Sequence, residues 1–272
     1  MTLVVSDVTS HGIVMVGDSA ITRITRSKNK CEKREKRELS EDLAAKVHYS
    51  KEANIGVTVW GDYPSVDEER LDVRVRRFVE EEVCSGMDIE GVAERLTEML
   101  NEKLFPGGGN RDEKRLGLHI AGYKDGLPRL WHIHTGEKEK PQHELRLHKD
   151  FPEGQHLCDE CAGKYLGDKG FFHLRNGYYP VFAALFDAMM VYGNGVRRFL
   201  GCEFPPDDLD GRLEFYKILV SFVADTLVIA RRHKGVNKPI SYVAFNQSGR
   251  QRSHLVEPTC EESSCGGAEL RG

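Results

Sequence analysis

Four short, β-branched segments crowd the first sixty residues and constrain the fold more than any other feature of the chain. They run from Thr2 to Thr9, Ile13 to Ser19, Lys46 to Ser50 and Asn54 to Gly61. Their apolar residues alternate or run together over strand lengths, and the first two are split by Ser10, His11 and Gly12, which is the pattern of a hairpin. The chain therefore opens directly into a strand. Termini usually fray, so a strand at residue 2 implies that a sheet or a function ties this end down.

The second residue adds chemistry. Removal of Met1 is expected because the next side chain is small, and the mature chain then begins at Thr2 with both a hydroxyl and a free α-amine. A threonine hydroxyl is a weak nucleophile that needs a base within hydrogen-bond reach. An N-terminal threonine supplies its own base, an amine with a reference pKa of about 8.

On these residues the chain resembles the proteasome β-subunit and HslV family of N-terminal-nucleophile (Ntn) hydrolases. The run from Gly12 to Asp18 and Ser19 is similar to that family's Gly-Val-x-x-Ala-x-Asp-Ser segment, and Thr2 to Asp18 has the family's spacing. Lys46 to Gly61 is similar to its Lys-Ile strand leading to Ala-Gly. The resemblance implies an α+β fold, a four-layer αββα sandwich of two mostly antiparallel sheets. It implies a threonine-type peptidase acting on peptide or protein substrates without a cofactor. Thr2 is then the nucleophile, Lys46 the cation that lowers the pKa of the attacking pair, Asp18 its carboxylate partner and the Gly61 N–H the oxyanion donor. Lys46 and Asp18 are expected in contact with each other and near a Thr2 hydroxyl exposed at the chain end. Ring-shaped homo-oligomers follow from the same resemblance.

Each residue also has a plainer reading. Threonine after Met1 is common, Asp18 and Ser19 both favour turns, and Lys46 could be an edge lysine. It is their order on successive strands that favours the joint reading. The resemblance weakens at supporting positions, where the family has Gly-Ser-Gly and this chain has Asn176, Gly177 and Tyr178. Where the family has Asp-x-x-Ser, it has His233 to Val236. Two alternatives follow: a catalytically silent structural or binding subunit, and an Ntn amidohydrolase acting on small amides.

Composition bounds the remaining choices. A chain of 272 residues with a net charge of −4 has no global pull toward nucleic acid or an anionic membrane surface. No run approaches the roughly 20 apolar residues of a membrane span. The apolar start lacks a basic leader and is interrupted by Ser6 and Asp7, so no secretory signal is read and the cytoplasm is the expected location. Seven cysteines, an odd number, do not form a secreted disulfide framework. Cys158 and Cys161, with His156 and His173 nearby, have spacing that suits a zinc ion as well as free thiols. The lack of a second Cys-x-x-Cys favours the thiols. His132 and His134 share a strand face and read as exposed structural histidines rather than as metal ligands.

Further along, Leu71, Val75, Phe78 and Val79 make one helical stripe. Ile89, Val92, Ala93, Leu96, Met99 and Leu100 make another, with Asp88 as its N-cap. A hairpin is predicted over Leu116 to Tyr123 and Arg129 to His134. Helices are expected over residues 179–192 and 213–232, and a closing strand over 238–246. The chain reads as one domain over residues 2–256, with insertions near 23–42 and 149–175 and a disordered tail over 257–272. The basic run within the first insertion, residues 23–38, reads as a solvated loop or short exposed helix near the mouth of any active site.

Overall fold

β1 (Leu3–Thr9) and β2 (Gly12–Asp18) form the opening hairpin, with Val4 opposite Gly17 and Thr9 opposite Gly12. All of their residues are buried. The computed structural model describes residues 2–26, 35–61, 65–66, 69–104, 116–135, 145–151, 162–165, 172–177, 180–200, 205–229, 236 and 238–259.

This hairpin is the centre of a six-stranded antiparallel sheet. Its order is β12 (Ala162–Tyr165), β13 (Phe172–Gly177), β1, β2, β14 (Ile240–Phe245) and β15 (Gln251–His254). A second antiparallel sheet has the order β11 (Leu145–Phe151), β10 (Leu127–Thr135), β9 (Leu116–Lys124), β6 (Ile55–Gly61) and β5 (Val47–Ser50). The two sheets stack face to face. Val8, Ile13 and Met15 of the first meet Val47, Ala121 and Leu130 of the second in one apolar cluster.

Period-2 alternation sends the other residues of these strands outward, where helices cover them. Leu3, Val5, Val14 and Val16 pack against α3 (Pro180–Leu200) and α4 (Leu209–Ile229) through Phe182, Phe186, Tyr216 and Val220. On the opposite side Val57, Val59, Leu118 and Ile120 pack against α1 (Leu71–Arg77) and α2 (Ile89–Leu104). The layers run helix, sheet, sheet, helix, the α+β sandwich of the Ntn hydrolases. Caps fall where side-chain chemistry places them. Asp88 Oδ1 accepts the Gly91 amide at 2.8 Å at the start of α2, and Asp208 does the same for Gly211 before α4.

Several expectations change. The basic run is neither loop nor helix where it is described. β3 (Ala20–Arg26) and β4 (Glu35–Leu43) pair as a two-stranded ribbon whose register sets Arg23 opposite Glu38 and Arg26 opposite Glu35. Ile21, Thr22, Ile24 and Thr25 carry the strand propensity that the surrounding charges conceal. Within 149–175, read as an insertion, β13 pairs in register with β1 from Leu3 to Val8 and is thus integral to the first sheet. α1 is one π-helical turn longer than a plain helix, through Phe78–Glu82. A two-residue pair, β7 (Ser65–Val66) with β8 (Glu69–Arg70), leads into it. At the C-terminal end Thr259 is bonded to Leu43 in both directions, and residues 260–272 of the expected tail lie outside the described residues.

Candidate active site

The antiparallel pairing brings four strand ends to one edge of the sandwich. β1 starts at Leu3 beside the last residue of β2, Asp18, while β5 starts at Val47 opposite Thr58, three residues before β6 ends at Gly61. Thr2, Asp18, Lys46 and Gly61 occupy that edge because each sits at or just beyond a strand end.

Asp18 is the junction. Its Oδ1 accepts the Leu3 amide at 2.8 Å and the Lys46 ammonium at 2.9 Å, and its Oδ2 accepts the Ala20 amide at 3.0 Å. Lys46 Nζ donates also to the Ala20 carbonyl at 2.7 Å. The backbone around Lys46 is fixed separately: Ala44 N–H donates to Ser19 O at 2.9 Å and Val59 N–H to Lys46 O at 3.0 Å. Ser19 Oγ donates to Pro239 O at 2.7 Å, anchoring β14 to the same corner.

Asp18, Ser19 and Lys46 are fully buried. Burial lowers the Lys46 pKa, because the charged form loses its water, while the Asp18 and Asp72 carboxylates push it back up. An ammonium enclosed this way is held by a partner that removing it would strand, the situation in which a buried ion pair is hard to break. Thr2 is only 1 % exposed in the chain that still carries Met1, and β13 flanks the first residues of β1, with Leu3 opposite Gly177. The Leu3 amide on Asp18 ties the backbone next to Thr2 to the carboxylate that holds Lys46. Gly61 adopts φ +93°, a left-handed conformation that favours glycine, as β6 leaves the sheet.

A row of polar side chains continues inward from this edge, between the sheets. His119 Nδ1 lies 2.9 Å from Ser6 Oγ and its Nε2 2.7 Å from Asn176 Oδ1. That geometry puts the proton on Nε2, with Ser6 donating to Nδ1. Burial drops the His119 pKa to about 4. His132 and His134, expected exposed, are buried. His132 meets the His119 ring edge-on at 5.1 Å and lies 4.6 Å from the His134 ring. Their shared face was readable from the strand period. The first sheet, which covers it, was not. Of the supporting positions, Gly177 lies opposite Leu3 and Val236 is packed in the apolar cluster under α3 and α4. His233, His156, Cys158 and Cys161 lie outside the described residues. Sequence reasoning missed Asp72. Its one signal was an acidic residue in the first turn of a helix, which by itself marks only a favourable dipole position.

The sandwich is that of the Ntn hydrolases, proteasome-like in its layers. Among solved structures, the chain is similar to the Gly-1 mutant of Anbu from Hyphomicrobium sp. strain MC1, with a TM-score of 0.50 and 12 % identity over 94 % of this chain and 88 % of that one. No family model and no curated protein matches the sequence. At that identity the likeness speaks for the fold.

Proposed function

We propose that the chain is a proteasome-like threonine-type peptidase whose mature N-terminal Thr2 attacks peptide bonds. Thr2 Oγ adds to the substrate carbonyl carbon as its proton passes to the α-amine freed by loss of Met1. The C–N bond then breaks, the amine product leaves with that proton, and water hydrolyses the Thr2 ester to release the acid. Lys46 favours the developing alkoxide, Asp18 keeps Lys46 charged, and the Gly61 N–H stabilises the oxyanion. The observation that carries the reading is the buried Lys46–Asp18 contact of 2.9 Å, with the Leu3 amide on the same carboxylate oxygen. Intact mass of the purified protein tests the first requirement, because a retained Met1 leaves no free amine at Thr2. Loss of peptide hydrolysis in Thr2→Ala tests the second.

A silent binding subunit is the second reading, and one observation favours it. Gly177 has no side chain and Val236 is apolar and buried where the family has serine hydroxyls, and His233 stands where it has the aspartate, so these positions do not supply the groups that the family places near the amine. A small-amide amidohydrolase would use the same nucleophile and differs only in substrate.

The assembly belongs to the same proposal: a homo-oligomer in which α3 and α4 meet a second copy. Val191, Tyr192, Ile218, Phe222 and Ile229 are exposed on these two helices, whereas α2 turns Glu94, Arg95 and Glu98 to solvent. Two helices of 21 residues present a face of roughly 600 Å² each protomer, enough in a two-fold contact to reach the lower end of stable interfaces, about 1,200 Å². Both signs of charge lie on or beside α4, in Glu214 with Lys217 and Asp225 with Lys238, which suits a self-complementary contact.

A further inference from the structure

Against the residue that precedes Lys46 lies a second fully buried carboxylate. Asp72, in the first turn of α1, accepts the Ala45 amide at 2.8 Å on Oδ2. Arg70 closes a two-bond fork on it, Nε to Oδ1 at 2.8 Å and one terminal nitrogen to Oδ2 at 2.7 Å. The guanidinium then reaches two carbonyls on the other side: Leu43 O at 2.8 Å and Thr259 O at 2.9 Å. Thr259 completes the ring, its Oγ1 accepting the Leu43 amide at 2.7 Å and its own amide donating to Leu43 O at 3.2 Å.

These bonds converge on three consecutive residues. Leu43 is held at both its amide and its carbonyl, Ala44 by Ser19 O and Ala45 by Asp72, and the next residue is Lys46. The segment leaves the sheet at Leu43, the last residue of β4, and Ala44 to Lys46 lie before β5 begins at Val47. Without the sheet ladder, its backbone polar groups need other partners, and a planar, five-donor guanidinium can serve a carboxylate and two carbonyls together. A lysine would reach only part of that set.

We propose that Asp72, Arg70 and Thr259 form a clamp that positions Lys46 against Asp18, so that a residue beyond the last strand, Thr259, takes part in organising the active site. These are positioning residues that act through the backbone of Leu43 to Ala45. The catalytic part of this role rests on the hydrolase reading, while the clamp itself does not.

Two variants test it on the full-length protein. Thr259→Val removes the acceptor for the Leu43 amide at an exposed site and should leave folding intact. Amide hydrogen exchange over residues 43–46 is expected to quicken by about tenfold, with β1, β2 and β9 unchanged. With a fluorogenic peptide as substrate, kcat should fall about threefold to tenfold at constant KM, because the loss is of alignment and not of substrate contacts. Asp72→Asn keeps the shape and one acceptor but loses the charge that Arg70 grips. Its kcat should fall by about tenfold or more, again at constant KM. Faster exchange with an unchanged kcat in both variants would overturn the positioning role, and unchanged exchange would overturn the clamp. If the wild-type protein hydrolyses nothing, the hydrolase reading fails by itself, and the exchange measurement still decides the clamp.

Discussion

The Lys46 ammonium and the Asp18 carboxylate meet at 2.9 Å with neither side chain exposed to water. Asp18→Ala takes away the carboxylate hydrogen-bonded to that ammonium and leaves it bonded to the Ala20 carbonyl, with Asp72 acting only through its charge. We expect a loss of about 3–5 kcal/mol in stability, the usual cost of stranding one member of a buried pair. Lys46→Met together with Asp18→Ala removes both charges and should cost clearly less than the two single losses combined, because the residues are in contact. Urea midpoints of the three variants measure this; strict additivity would contradict it.

Much of this corner was legible in the sequence. Thr2, Asp18 and Lys46 sit at the ends of segments whose alternation is strong, and antiparallel pairing leaves little freedom in where such ends go. The β3 and β4 ribbon was not legible, because charged residues dominate the run and only register brings its opposite signs across from each other. The clamp was hidden for another reason. Arg70, Asp72 and Thr259 are ordinary in their local sequence and gain meaning only where α1 and the chain after β15 meet at Leu43. His132 and His134 show the same limit: period fixes the face, and only the other sheet makes it interior.

Stability should rise with pH from about 4 to 6.5 and then turn. Burial lowers His48 and His119 to about 4, below the unfolded value of 6.5. Each therefore adds stability above 6.5 that is lost as pH falls toward 4. Asp7 works in the other direction. Burial, only partly offset by Arg212 and the Tyr216 hydroxyl, raises it from 3.8 to about 7, so its contribution is present at low pH and lost as pH rises through 7. Two groups against one leave a net slope of about 1.4 kcal/mol per pH unit across the window. Urea denaturation at half-unit steps checks it, with a flat or falling profile as the contrary result. His119→Gln should flatten the slope, and Asp7→Asn should steepen it.

Gly61→Ala probes the oxyanion position. A Cβ at φ +93° is strained, so we expect a loss of roughly 1–2 kcal/mol in stability and a shifted N–H. Peptide hydrolysis should fall by about a hundredfold, in line with the loss of one oxyanion donor. A Gly61→Ala protein with full activity would remove that residue from the site.

The apolar face of α3 and α4 makes a separate prediction. Phe222→Glu with Ile218→Glu should yield monomer in light scattering while the melting temperature of the fold stays close to that of the dissociated wild type, because both side chains are exposed within the protomer. Wild-type protein that is monomeric at working concentration would contradict the proposed contact.

The most direct measurement is hydrolysis of a panel of fluorogenic peptide and small amides by Thr2→Ala beside wild-type protein whose loss of Met1 has been verified by mass. Thr2 is buried, so the substitution should lower stability by up to about 1 kcal/mol through the lost hydroxyl and methyl, without unfolding the chain. Removal of the nucleophile is expected to reduce kcat by a factor of about a thousand or more, with the Lys46–Asp18 pair left in place. Hydrolysis by Thr2→Ala at the wild-type rate would contradict the account.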